Sequence, residues 1–238
     1  MKNVIKIVPL ILLMTTIIIG NSNAQWENLP GKAEAIAAGG DSAGTAVWTI
    51  GQNNAAYKWD ESAFSWQSYG GKATKIAVDS DGIPWVVNDQ KVYRLRGQTW
   101  QNMPGKAVEI AAGGGNVFVI GDSKAVYQWN DDAFSWQSVG GKADLIGVDS
   151  EGIPWVVNDK KIYRLRGQTW QNMPGKAVAI DAGGGTVWTI GESGAVYKWN
   201  DQGFTWESKG GKATQIAVGP DGVPYVVNDQ KVYRYRGN

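Results

Sequence analysis

The chain repeats itself, and the repeat leaves few architectures open. WQNMPGKAV at position 100 recurs verbatim at 170, and VVNDQKVYR at 86 recurs at 226. Trp66, Trp136 and Trp206 stand 70 residues apart, as do Trp100 and Trp170, while Trp100 to Trp136 is 36 and Trp136 to Trp170 is 34. Each long period therefore holds two shorter units. Six units begin at Trp26, Trp66, Trp100, Trp136, Trp170 and Trp206, in two alternating flavours. Units of this length cannot bury their apolar faces alone and must stack on one another, so the period constrains the fold before any local reading.

Within a unit the pattern is β. The second copy reads TKIAV from Thr74, a DSDG turn, IPWVV from Ile83, an NDQ turn, KVYRLR from Lys91, then QTWQN from Gln98. Four short runs with tight turns make a meander. The second run is apolar at consecutive positions (Trp85-Val86-Val87, Val117-Phe118-Val119-Ile120), as in a strand covered on both faces. The fourth is polar around one ring and suits an outer strand. Such units, packed face to face, predict an all-β, six-bladed β-propeller of four-stranded blades. YRYRGN at the C-terminus joined to QWENLPG at the N-terminus reproduces the YRLRGQTWQNMPG of earlier copies. The mature N-terminal strand is thus expected to complete the last blade. The main departure is at Asp41 to Thr45, where the first copy carries four extra residues in its first turn.

Ahead of the repeats, Lys2 and Lys6 precede an apolar run from Val8 to Ile19, then Gly20 and Ser22-Asn23-Ala24. Residues 1–24 read as a signal peptide, leaving 25–238 as the propeller. The apolar run is too short for a good membrane anchor and no second one follows, so a secreted protein without a membrane span is expected, extracellular, or periplasmic if bacterial. Without Lys2 and Lys6, 23 basic against 22 acidic residues become 21 against 22, and no bulk field draws in nucleic acid. The absence of Cys rules out disulfides and thiolate metal sites, and the absence of His removes the commonest general base. No cofactor or metal is expected.

The pattern WxxxxGKA, then an Ile/Val strand, a Trp- or Phe-bearing strand, and Tyr-x-Trp or Tyr-Arg-x-Arg resembles the tectonin family over the whole of residues 25–238. The resemblance implies a six-bladed propeller and a lectin that recognises glycans or lipopolysaccharide on microbial or cell surfaces. The disulfides of the fish-egg lectins in that family are missing here.

Trp59, Trp129 and Trp199 occur only in odd blades, where even blades carry Leu95, Leu165 and Tyr235. Each precedes a polar loop, beginning Asp60, Asn130 or Asn200. An indole beside carboxylates and amides suits a sugar's C–H face and hydroxyls; equally, each could pack on Phe64, Phe134 or Phe204. Gly-Lys-Ala in every copy gives Lys32, Lys72, Lys106, Lys142, Lys176 and Lys212, a ring that could bind anionic surfaces or merely be solvated in turns. The acids of the other turns, such as Asp60, Asp79 and Asp131, are expected on the opposite face. The alternating pairs Arg94/Arg96, Arg164/Arg166 and Arg234/Arg236 are expected to bridge blades. The DSDG and DSEG turns need only a type I turn closed by Gly, because no calcium loop follows them. Nearly every polar residue is copied, no catalytic motif is present, and a non-enzymatic binding protein is expected. The competing reading is a protein–protein scaffold.

Overall fold

The structure is a computed structural model that describes residues 25–41 and 44–237. The leader reading of residues 1–24 lies outside them. Six four-stranded antiparallel sheets stand around an axis, each a meander from the innermost strand outward. Blade 1 comprises Ala35–Asp41, Gly44–Ile50, Ala56–Asp60 and Ser65–Ser68. Blade 2 comprises Lys75–Val78, Pro84–Asn88, Lys91–Arg96 and Thr99–Lys106. Blades 3, 4 and 5 repeat the plan from Glu109, Leu145 and Ala179.

Blade 6 takes Gln215–Val218, Pro224–Asn228 and Lys231–Tyr235 from the C-terminus, and its outer strand is Trp26–Leu29. Trp26 lies opposite Tyr235 and Leu29, fully buried, opposite Val232. The ring closes as the joined termini predict. The extra residues of the first copy lengthen one hairpin, whose register continues past Gly39↔Ala46 to Asp41↔Gly44, where blade 3 ends at Gly113↔Asn116.

Each joint between blades holds its own apolar cluster. Trp48, Val86 and Leu95 pack between blades 1 and 2; Trp85, Met103 and Trp129 pack between blades 2 and 3. The second strands are apolar at consecutive positions because their alternating side chains fill two different joints. The outer-strand tryptophans explain the Gly of Gly-Lys-Ala. Trp66 Nε1 donates to the Pro30 carbonyl of the preceding connection, and Trp136 and Trp206 do the same to Pro104 and Pro174. The ring lies so close that a Cβ on Gly71 (φ +74°) would stand 2.7 Å from the Trp100 nitrogen. Left-handed backbone and lack of room both demand glycine there.

Candidate functional site

Trp59, Trp129 and Trp199 are buried, with only 8, 7 and 6 % of each exposed. Their ring centroids sit 5.1, 5.2 and 5.2 Å from Phe64, Phe134 and Phe204 in edge contacts, and 5.0 Å from Trp66, Trp136 and Trp206. The indole N–H groups donate to Glu61, Asp131 and Asp201. Asp60, Asn130 and Asn200 use their side-chain oxygens to cap backbone N–H groups of the same turns. Of the two readings open at these positions, the geometry is that of packing: neither face of the indole is free for a sugar. The exposed aromatics are instead Phe64, Phe134 and Phe204, half-exposed and held at φ of +46 to +49°.

The six lysines of Gly-Lys-Ala are all exposed. The N–H of each following alanine donates to a turn between second and third strands, as Ala107 does to Gln90 and Ala143 to Lys124, so the lysines and those turns share one face of the disc. The face is mixed in charge. Lys124 bridges Asp144 at 2.6 Å, and Lys160 bridges Glu192 at 2.7 Å with Lys176 4.0 Å away. Their partners hold the Asp144 and Glu192 carboxyls below the usual carboxylate range. Lys32, Lys72, Lys106, Lys142 and Lys212 join no ion pair among the described residues.

The first arginine of each even blade faces the next odd blade. Arg94 lies 4.9 Å over Trp85 and Arg164 lies 5.1 Å over Trp155, with Asp79 and Asp149 at 3.5 Å. Arg234 is bound more heavily, because Glu27 stands where Gln101 and Gln171 stand in blades 2 and 4. Its Nε and Nη2 donate to Glu27 at 2.9 and 2.8 Å, and its Nη1 to Glu61 at 3.0 Å. Burial works against the Glu27 carboxylate, but Arg236 and Arg234 outweigh it and hold the group below its ordinary range. The Trp59 N–H and Arg234 do the same for Glu61.

Two clefts of similar size lie at equivalent joints from odd to even blades. Between blades 1 and 2 a cleft of about 480 Å³ is lined by Trp48, Lys58, Tyr69, Ile83, Pro84 and Leu95, with Arg96 and Gly97 at its edge. Between blades 3 and 4 its counterpart of about 460 Å³ is lined by Phe118, Gln128, Glu151, Ile153, Pro154 and Leu165, with Arg166 and Gly167. At the third such joint Tyr235 takes the leucine's slot and packs edge-on against Trp188 with centroids 5.4 Å apart. Only the arginine pairs signal these clefts in the sequence, because the floor is made by side chains that also serve as core. A cavity of about 130 Å³ on the axis is lined by the Lys75–Glu109 pair and by the half-buried Asp181.

Residues 106–184 match the Tectonin domain family model. They span blades 3 and 4 and the innermost strand of blade 5, and the match is consistent with the resemblance carried by the repeats: the chain is a six-bladed β-propeller, part of which matches that family model. No curated protein matches it. Among solved structures it is similar to YCF48 bound to D1 peptide, at 15 % identity over 91 % of this chain and 98 % of that one, TM-score 0.59. A gluconolactonase from Xanthomonas campestris matches at 11 % identity over 88 % of each chain, TM-score 0.67. A streptogramin B lyase matches at 13 % identity over 90 % of this chain and 97 % of that one, TM-score 0.61. At these identities the likeness is one of fold, and a fold shared by a lactonase, a lyase and a peptide binder does not choose among functions. No helix among the described residues is long and apolar enough to cross a membrane.

Proposed function

We propose that the protein is a secreted, non-catalytic lectin that holds glycans or lipopolysaccharide in the clefts between odd and even blades. One observation carries the reading: clefts of about 480 and 460 Å³ recur at equivalent joints, each with an apolar floor and a polar rim. That combination suits a sugar ring, whose C–H face needs apolar contact and whose hydroxyls need donors and acceptors. Repetition turns weak single-site binding into retention on a dense surface through effective concentration. The exposed lysines on one face add attraction to phosphorylated or acidic surfaces.

The test uses a residue the protein already employs. Leu95→Tyr with Leu165→Tyr copies Tyr235, which packs edge-on against Trp188 at the third joint. Glycan-array and bacterial-surface binding by the parent, lost in a double variant that still unfolds cooperatively, supports the proposal. Equal binding by parent and variant removes the clefts from consideration, and a parent that retains no glycan removes the function.

A further inference from the structure

The joint between blades 1 and 2 differs from its counterparts at one position. In blade 5, Thr186 Oγ1 accepts the indole N–H of Trp188 at 3.1 Å and donates its proton to the Gly183 carbonyl at 3.0 Å, with the Gly222 carbonyl 3.4 Å away. In blade 3, Asn116 donates to the Gly152 carbonyl at 3.0 Å and accepts from Gln128 at 2.9 Å, and Phe118 replaces the indole. In blade 1 the same position is Ala46. Trp48 is 2 % exposed and its Nε1 has no hydrogen-bond partner. The Ala46 methyl faces Gly82, whose counterpart Gly152 accepts the Asn116 bond and whose counterpart Gly222 lies beside the Thr186 hydroxyl. Beside Ala46 lies a second cleft of about 450 Å³, lined by Gly40, Gly44 and Thr45 of the lengthened hairpin and by Lys58, Asp81 and Gly82. It shares Lys58 and Gly82 with the cleft over Trp48, so the two form one groove.

Two donors are unspent in this groove. The Trp48 N–H can only donate, and buried without a partner it costs free energy of the order of a lost hydrogen bond. Lys58 Nζ is held 5.9 Å over the Trp48 ring and joins no ion pair among the described residues, although Asp81 lines the far side. A group satisfying both must be an acceptor and carry negative charge. The nearby Asp81 and the single cation disfavour a doubly charged phosphate. We propose that this groove is a carboxylate-binding site, present once per chain, that seats the anion between Trp48 Nε1 and Lys58 Nζ. Acidic sugars and peptide C-termini both offer such a group. The site does not depend on the lectin reading, since the cleft between blades 3 and 4 has Asn116 and Gln128 in these places and no indole.

Trp48→Phe, the residue blade 3 already uses, identifies the Trp48 indole N–H resonance in the full-length protein. Titration with glucuronate should then move that resonance saturably, while glucose leaves it in place. N-acetylglycinate moving it as far means that the carboxylate alone is read; a response to glucuronate only assigns the site to acidic sugars. Ala46→Asn with Lys58→Gln transplants the blade 3 arrangement and should weaken glucuronate at least tenfold, with Lys58→Gln alone giving about tenfold. The proposal is overturned if the Trp48 resonance ignores both carboxylates, if inorganic phosphate moves it equally, or if both variants bind like the parent. Should the double variant not fold, the parent titration and Lys58→Gln decide between these outcomes.

Discussion

Replacing Glu27 by Gln isolates what closes the ring beyond the strand itself. Glu27 lies on the N-terminal strand, Arg234 and Arg236 on the C-terminal one, and Glu61 at the tip of blade 1, so four charges tie both ends of the chain to their neighbour. The Arg234 side chain is 11 % exposed and Glu27 30 %. Gln at this position is the pattern of blades 2 and 4, where Arg94 Nε and Gln101 Oε1, like Arg164 Nε and Gln171 Oε1, are buried without partners. The amide can still accept from Arg234, and Glu61 still balances its charge. The loss is therefore that of charge assistance, about 1–2 kcal/mol, below the cost of orphaning a buried ion. For a domain of this size that lowers the thermal midpoint by roughly 3–6 °C. Glu27 and Glu61 both titrate below their ordinary range. Their contribution is thus present above the unfolded carboxylate pKa of about 4.3 and is lost as pH falls through the lower folded values. Urea unfolding should show the gap between parent and Glu27→Gln at pH 7 and its closure near pH 3. A variant that matches the parent at pH 7, or a gap that persists at pH 3, would refute the reasoning.

Asp181 occupies the slot of Ala37, Ala77, Ala111 and Ala217, and burial pushes its pKa up to about 7 against hydrogen bonds from the Val218 and Ala182 N–H groups. A raised acid loses stability as pH climbs from about 4 through 7, by at most about 4 kcal/mol, so Asp181→Asn should remove that decline and unfold at higher urea than the parent at pH 8; a parent with equal midpoints at pH 5 and 8 contradicts this. Trp129→Leu should cost about 2–4 kcal/mol in chemical denaturation, because the indole fills a joint between blades, yet leave glycan retention intact; loss of retention in the folded variant would return the indole to the binding site. Lys72→Gln, Lys142→Gln and Lys212→Gln together should weaken binding to lipopolysaccharide and flatten its salt dependence, with the thermal midpoint within about 2 °C of the parent; unchanged affinity at low salt would leave these lysines as solvated turn residues.

Strand order and ring closure were legible because they depend on what repeats: Trp26 to Leu29 had to pair with Tyr235 to Val232 once the joined termini matched the earlier copies. The role of Trp59 was not. Leu95 in the equivalent slot suggests an indole unnecessary for packing, but the alternating blades meet different neighbours. Leu95 faces the Trp48 joint, whereas Trp59 fills the joint to Tyr225, Leu29 and Val232. Phe64, Phe134 and Phe204, five residues after each indole, were the available sign of that packing. The lysine face was read from its lysines alone; Asp144 and Glu192, beside the same turns, temper it. The clefts were hidden because their floors are core residues at the edge of a joint, which a pattern of burial cannot distinguish from residues at its centre.

Among near-identical copies, a departure at one position usually demands another that answers it. Gly147 stands where blades 1, 2, 3 and 6 have alanine, and a Cβ there would stand 2.6 Å from the Asp181 Cα and 3.1 Å from its Oδ1, so the glycine makes room for the aspartate across one joint. Glu27 answers Arg234, and Tyr235 answers the ring of Trp188. These departures are compensated within the chain, and their effects belong to stability and closure. Ala46 is not. It strips Trp48 of the hydroxyl that serves Trp188, keeps the indole that blade 3 discards, and leaves a lysine above it. The chain already contains two remedies for this position, threonine and asparagine, and uses neither. A buried, unpaired donor beside a cation is the arrangement a ligand with an acceptor would complete, and this is why selectivity is to be expected in the first blade rather than in the pattern repeated through all six.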